Sequence, residues 1–165
     1  MLNAGAMVMG DFTKLRPEEI ESQVNVNGLH PIYLAKALLP QMLSRNKRSS
    51  IIVTSSGLGT VAVPGVLTYS MCKSFVSFLA KGLAIEVGDK IDCLAFEPGQ
   101  VKTNLIKFEK PGGISVESAV NGCLRDLGTT SQTYGAFLHD FQTSLTPKFV
   151  LQKVLHTVAN QVYAR

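Results

Sequence analysis

The chain has 165 residues, 45% of them hydrophobic and 17% charged. That suffices for one domain with its own core and excludes a disordered tail or a charge-rich nucleic-acid arm. Sixteen Lys and Arg against twelve Asp and Glu leave a net charge of only +4. The basic residues are scattered, and the short run Arg45, Lys47, Arg48 falls where a helix should end, which suits a helix dipole better than phosphate. Three separated cysteines (Cys72, Cys93, Cys123) and three separated histidines (His30, His139, His156) give no disulfide framework and no zinc spacing. A reducing, intracellular setting and no metal are expected. Apolar stretches are interrupted well short of a membrane span, and Met1 to Gly10 lacks the basic start of a secretory signal.

In chain order, Arg16 to Arg45 predicts a helix. Pro17 suits the first turn, Glu18, Glu19 and Glu21 suit the positive end of the dipole, and Val24, Leu34, Leu38 and Leu39 form an apolar stripe. Ser50 to Ser56 is a short β-branched run closed by Gly57 and Gly59, and Ile91 to Phe96 is a similar run closed by Pro98-Gly99. Such runs suit strands buried on both faces of a parallel sheet. Between them, Thr68 to Val87 predicts a helix with Phe75, Phe78, Leu79 and Leu83 on its apolar side and Gly88 as its stop. Helix, strand, helix, strand with short links is the rhythm of right-handed crossovers on a parallel sheet. Beyond Gly99, residues 100–113 read as a loop or flap, Val116 to Leu127 as a helix, Tyr134 to Leu138 as a strand and Lys148 to Tyr163 as an amphipathic helix. No internal repeat occurs.

The chemistry concentrates in Tyr69-Ser70-Met71-Cys72-Lys73. Positions four apart share a helix face, so phenol and ammonium lie within reach of each other. A nearby cation favours phenolate and should lower the tyrosine pKa toward the range of a working general acid. Ser56 ends the first strand thirteen residues before Tyr69. Ligands in open α/β sheets bind beyond the carboxyl ends of the strands, where both Ser56 and Pro98-Gly99 fall, so the Ser and Tyr hydroxyls could share one carbonyl oxygen. His30 and Cys72 read as packing residues. The pair Met7, Met9 reads as loop or as substrate-pocket lining.

This set resembles the short-chain dehydrogenase/reductase family along nearly the whole chain. Asn3-Ala4-Gly5 is similar to the family's Asn-Ala-Gly motif after its fourth strand. Asn27 stands at its helix asparagine, Ser56 at its serine, Tyr69 and Lys73 at Tyr-x-x-x-Lys, and Pro98-Gly99-Gln100-Val101-Lys102-Thr103 at its Pro-Gly-x-Val-x-Thr segment. Pro17-Glu18-Glu19-Ile20-Glu21-Ser22 ahead of Val24-Asn25-Val26-Asn27, Leu39-Pro40-Gln41-Met42, and Gln132-Thr133-Tyr134-Gly135 with His139 resemble the 17β-hydroxysteroid dehydrogenase and very-long-chain 3-oxoacyl-CoA reductase subgroup.

The resemblance implies a Rossmann-like, doubly wound α/β fold and an NAD(P)-dependent oxidoreductase acting on a steroid or long-chain 3-oxoacyl ketone, with NADPH favoured over NADH. It implies Asn27, Ser56, Tyr69 and Lys73 as the catalytic set, and Asn3, Ala4, Gly5, Tyr69, Lys73, Pro98, Gly99, Val101 and Thr103 as cofactor contacts. It also admits an endoplasmic reticulum membrane surface as the location. Pro31, inside the first helix, opposes the Asn27 carbonyl four residues back. It reads either as a packing kink or as a device that frees this carbonyl for a water, which in the family links to the lysine as a proton relay.

The family's Thr-Gly-x-x-x-Gly-x-Gly turn, whose backbone amides hold the pyrophosphate, has no counterpart in these residues; Gly57-Leu58-Gly59 follows a strand already assigned. The chain therefore reads as one partial domain, residues 1–165, the catalytic half of an N-terminally truncated family member, short by roughly 80 residues at βαβ sizes. Alone it is expected to bind cofactor poorly and not to turn over. Unpaired strand edges would call for a homo-oligomer or a partner chain that completes the sheet. The alternative is an inactive remnant that acts, if at all, as an interaction protein.

Overall fold

Apolar residues alternate along two central strands, and that alternation builds a layer on each side of them. The computed structural model describes residues 1–103, 113–136 and 153. Strands β1 (Ser49–Thr54), β2 (Ile91–Phe96) and β3 (Gln132–Thr133) form a parallel sheet in that order. Ser49 pairs with Ile91 at one end and Thr54 with Phe96 at the other. Ala95 and Phe96 pair with Gln132 and Thr133. Leu2 adds a parallel bridge to Val53 on the free side of β1, donating to the Ile52 oxygen at 2.7 Å and accepting from the Thr54 amide at 2.9 Å.

Ile51, Val53, Ile91, Cys93 and Ala95 face α2 (His30–Leu43) and α3 (Leu67–Glu86), packing with Leu2, Ala35, Met42, Val76, Ala80 and Leu83. Ile52, Leu94 and Phe96 face the other way, against Ala119 and Cys123 of α4 (Val116–Asp126). A period-two strand buried on both faces makes this three-layer α/β/α arrangement. Among the described residues no helix is long and apolar enough to cross a membrane.

The first predicted helix is present in three parts: α1 (Pro17–Val24), a π-helical turn over Asn25–Leu29, and α2. Within that turn the His30 amide donates to the Asn25 oxygen, five residues back. The wider turn lies immediately ahead of Pro31, which has no amide to donate and whose ring would crowd the Asn27 carbonyl in α geometry.

Several expectations are corrected. Leu34 and Leu38 are exposed, and the buried positions of α2 are Pro31, Ala35 and Met42. On α3 the large residues Phe75 and Phe78 point outward, Phe78 being 81% exposed, while Val76, Ala80 and Leu83 at the same helical spacing line the sheet. Of the expected stripe, Leu79 and Leu83 do pack on the core, while fully buried Val76 and Ala80 let the helix lie close on the strands where bulk pointed to Phe75 and Phe78.

Gly88 ends α3 without a left-handed conformation; a Cβ there would meet the Ala84 oxygen at 2.2 Å. Arg48 serves the end of α3, donating to the Gly88 and Asp89 carbonyls at 2.8 Å each and pairing with Asp92 at 2.7 Å. It does not neutralise the helix that precedes it in sequence. Among the described residues the last strand is Gln132–Thr133, and Tyr134 to Ala136 do not extend it, because Gly135 turns the chain with φ +75°; Phe137 and Leu138 lie outside the described residues. A Cβ on Gly122 would lie 1.5 Å from the Gly135 oxygen, so α4 rides directly on that bend. The helix expected at Lys148 to Tyr163, most of the 100–113 loop, His139 and His156 lie outside the described residues, apart from Lys153.

Candidate active site

The end of β1 is joined to one turn of α3 by three consecutive residues. The Thr54 carbonyl accepts from Lys73 Nζ at 2.8 Å, the Ser55 hydroxyl donates to the Lys73 carbonyl, and Ser56 stands close enough to Tyr69 for its hydroxyl to lower the phenol pKa. Ser56 is extended and caps the 3-10 turn Gly57–Thr60, its Oγ accepting from the Leu58 amide at 3.2 Å. This turn lies against α3 so closely that a Cβ on Gly59 would come within 2.8 Å of the Lys73 carbonyl carbon and the Ser74 nitrogen. Only glycine fits such an approach. Ser56 and Tyr69 therefore converge at the carboxyl end of β1, as their spacing predicts.

Tyr69 and Lys73 are both buried, Lys73 to 2% exposure. The Lys73 ammonium stands 5.5 Å from the centre of the Tyr69 ring. The electrostatics correct the sequence expectation. Burial pushes the Tyr69 phenol above its ordinary value of 10, and the Ser56 hydrogen bond only partly offsets this. The Lys73 ammonium is turned onto Thr54 and is itself pressed by burial to about 8. Burial likewise pushes the Cys72 thiol up, as suits a packed cysteine.

Asn27 and Gln23, both fully buried, hold the segment after Leu2. Asn27 accepts from the Ala6 amide at 3.1 Å and donates to the Ala6 carbonyl at 2.7 Å and to the Gln23 carbonyl at 3.0 Å. Gln23 Oε1 accepts from the Val8 amide at 3.1 Å. Gly5 is thereby set where a Cβ would lie 3.2 Å from Asn27 Oδ1 and 3.6 Å from Lys73 Nζ. Asn3 accepts from the Thr54 hydroxyl at 2.9 Å, while Asn3 and Ala4 are themselves exposed.

From the other strand, the Pro98 carbonyl accepts from the Gly57 amide at 2.9 Å, and Gly99 lies beside Gly57. Val101 bridges Ile114, and Thr103 is exposed. Asn3, Gly5, Asn27, Ser56, Tyr69, Lys73 and Pro98-Gly99 thus gather at one end of the sheet. Thr54, Gln23 and Glu97 belong with them and carry no sequence signal beyond lying four residues before Asn27 or at a strand end.

A nicotinamide riboside fits this chemistry. Lys73 is a buried ammonium with three donors and, among the described residues, one hydrogen-bond acceptor, which leaves donors for ribose hydroxyls. Beside it Gly5 brings the backbone close to Asn27 Oδ1 and Lys73 Nζ, where any side chain would crowd. Among the described residues no group of three or more His, Cys, Asp and Glu could hold a metal ion.

The family model for short chain dehydrogenases matches residues 1–112. A very-long-chain 3-oxoacyl-CoA reductase of Anas platyrhynchos is 30% identical over 152 residues, covering 88% of this chain and 48% of the relative. Among solved structures, a bulky-bulky ketone specific alcohol dehydrogenase from Comamonas testosteroni superposes with a TM-score of 0.67 at 30% identity, over 76% of this chain and 49% of the other. A short-chain dehydrogenase from Sphingobium yanoikuyae in complex with NADPH gives 0.70 at 27% identity, over 76% and 51%. The chain spans about half the length of the curated relatives it matches.

Proposed function

Because the chain belongs to the short-chain dehydrogenase family, we propose that it carries the catalytic half of an NADPH-dependent reductase acting on a long-chain 3-oxoacyl ketone. The observation that carries the reading is the convergence of Ser56 on Tyr69 beside a buried Lys73. The likeness to reductases of 3-oxoacyl-CoA supports the substrate class over a steroid, and the neighbour crystallised with NADPH supports the cofactor.

In this reading a reduced nicotinamide, when bound, supplies a hydride to the carbonyl carbon. The chain's own residues do the rest. Ser56 and Tyr69 present two hydroxyls to one carbonyl oxygen and orient it. Tyr69 is the general acid: its raised pKa keeps the phenol protonated near neutrality, and it gives up that proton as negative charge develops on the oxygen. Lys73 holds ribose hydroxyls with the donors Thr54 leaves spare. Asn27 and Gln23 fix the Asn3-Ala4-Gly5 segment along the nicotinamide side, and Pro98-Gly99 closes the opposite side. Ser55 locks the α3 turn from behind, which holds the backbone that carries Tyr69 and Lys73. These residues contain no glycine-rich pyrophosphate turn, so we place the chain's own affinity for dinucleotide at its nicotinamide end and expect it to be weak.

The test supplies a dinucleotide-binding half to the chain and follows NADPH consumption with a long-chain 3-oxoacyl-CoA and, separately, a 17-oxosteroid. Reduction of the acyl-CoA in preference is expected. Reduction of neither by a complex that binds NADPH would contradict the reading.

A further inference from the structure

Glu97 is a carboxylate with 1% exposure, and nothing in the chemistry above uses it. A charge so far from water is costly unless its oxygens are well supplied with donors. Here they are. One oxygen accepts from the Ser77 hydroxyl and pairs with Lys81 Nζ at 3.2 Å; the other accepts from Gln132 Nε2 at 2.7 Å. The Glu97 amide donates to the Thr133 carbonyl at 2.8 Å.

The positions of these partners matter more than their number. Tyr69, Lys73, Ser77 and Lys81 follow one another at four-residue intervals along α3, one row on one helix face. Glu97 grips the lower half of the row whose upper half holds the phenol and the ammonium. It is also the residue immediately before Pro98, whose carbonyl accepts from the Gly57 amide next to Ser56. A closed circuit results: Ser56 to Tyr69, down α3 to Ser77, across to Glu97, through Pro98 to Gly57 and back to Ser56.

We infer that Glu97 is a positioning residue: its carboxylate sets where the Pro98-Gly99 turn stands relative to the Tyr69–Lys73 row, and so fixes the width of the nicotinamide end of the site. The inference rests on the oxidoreductase reading above. A buried ion pair is a poor source of stability compared with apolar residues of the same volume. Its fixed geometry is what an apolar contact would not provide, and Glu97, directly after β2, ties β3 and α3 together through one planar group.

The test compares the chain with Glu97→Gln, which keeps the shape but turns one acceptor into a donor facing donors, and with Ser77→Ala, which removes a single arm. Amide exchange at Gly57 reports the turn, exchange at Val53 reports the core of β1, and titration with reduced nicotinamide mononucleotide reports the site. In both variants Gly57 should exchange at least tenfold faster while Val53 changes little, and affinity for the mononucleotide should fall at least threefold. Equal acceleration at Gly57 and Val53, or unchanged mononucleotide affinity in the variants, would overturn the positioning role. Failure of the unaltered chain to bind the mononucleotide would instead overturn the oxidoreductase reading, while exchange at Gly57 would still decide whether Glu97 holds the turn.

Discussion

Lys73 Nζ donates to the Thr54 carbonyl at 2.8 Å, which ties the cation of the Tyr-x-x-x-Lys turn to the end of β1. The Lys73 carbonyl is held by Ser55 of the same strand end. Side chain and backbone of one residue are therefore both fixed by neighbouring residues of β1. The ammonium is kept in a buried place where it costs stability while it is charged.

That cost sets a pH dependence. The folded pKa of Lys73, about 8, lies below the value of 10.5 for an unburied lysine. Between those values the unfolded chain binds the extra proton, so stability rises with pH across this window, and below it the penalty is fully present. Relative to Lys73→Met, the chain should gain on the order of 3 kcal/mol from pH 8 to pH 10.5. Urea unfolding at a series of pH values measures it, and parallel curves for the two proteins would contradict it.

Ser56 lowers the Tyr69 pKa against the upward push of burial. Ser56→Ala should therefore move Tyr69 ionisation still higher. Alkaline ultraviolet titration, with Tyr69→Phe subtracted to remove the other tyrosines, reads the shift. An unchanged titration would mean that the two hydroxyls do not interact in solution.

Tyr69 supplies the proton in the proposed reaction. With a dinucleotide-binding half completing the site, Tyr69→Phe should slow ketone reduction by about 10²–10⁴, the usual contribution of a general acid. Turnover at the original rate would remove Tyr69 from the chemistry.

Gly59→Ala places a methyl group 2.8 Å from backbone atoms of Lys73 and Ser74. Neither helix backbone nor the 3-10 turn can yield easily, so an overpacking cost of about 1–3 kcal/mol is expected in urea unfolding. Because Ser56 caps that turn, its contact with Tyr69 should loosen as well. Unaltered stability would show that the turn is not pressed onto α3.

The sequence made the strands legible because Ile51 to Val53 and Cys93 to Phe96 are apolar on both faces, which few other elements tolerate. The convergence of Ser56 and Tyr69 was legible because a strand end and a helix row each have one geometry. The buried face of α3 was legible only in part: Leu79 and Leu83 pack on the core, but size also suggested Phe75 and Phe78 where close packing on the sheet selected Val76 and Ala80. The direction of the Tyr69 shift was missed for a related reason. Spacing places Lys73 near the phenol but does not show that the ammonium turns to Thr54 or how much water both groups lose. Glu97 was silent because its donors, Ser77, Lys81 and Gln132, come together only when α3, β2 and β3 are packed.

In the proposed function the Gly5, Tyr69, Lys73 end of the sheet receives the nicotinamide half of the cofactor. Titrating NADPH into the isotope-labelled chain and following its backbone amides by NMR tests this most directly. The predicted result is a saturable shift of the Gly5, Tyr69 and Lys73 amides with an affinity weaker than micromolar, lost in Lys73→Met. Amides at that end that stay unmoved at millimolar NADPH, or that shift equally in Lys73→Met, would contradict it.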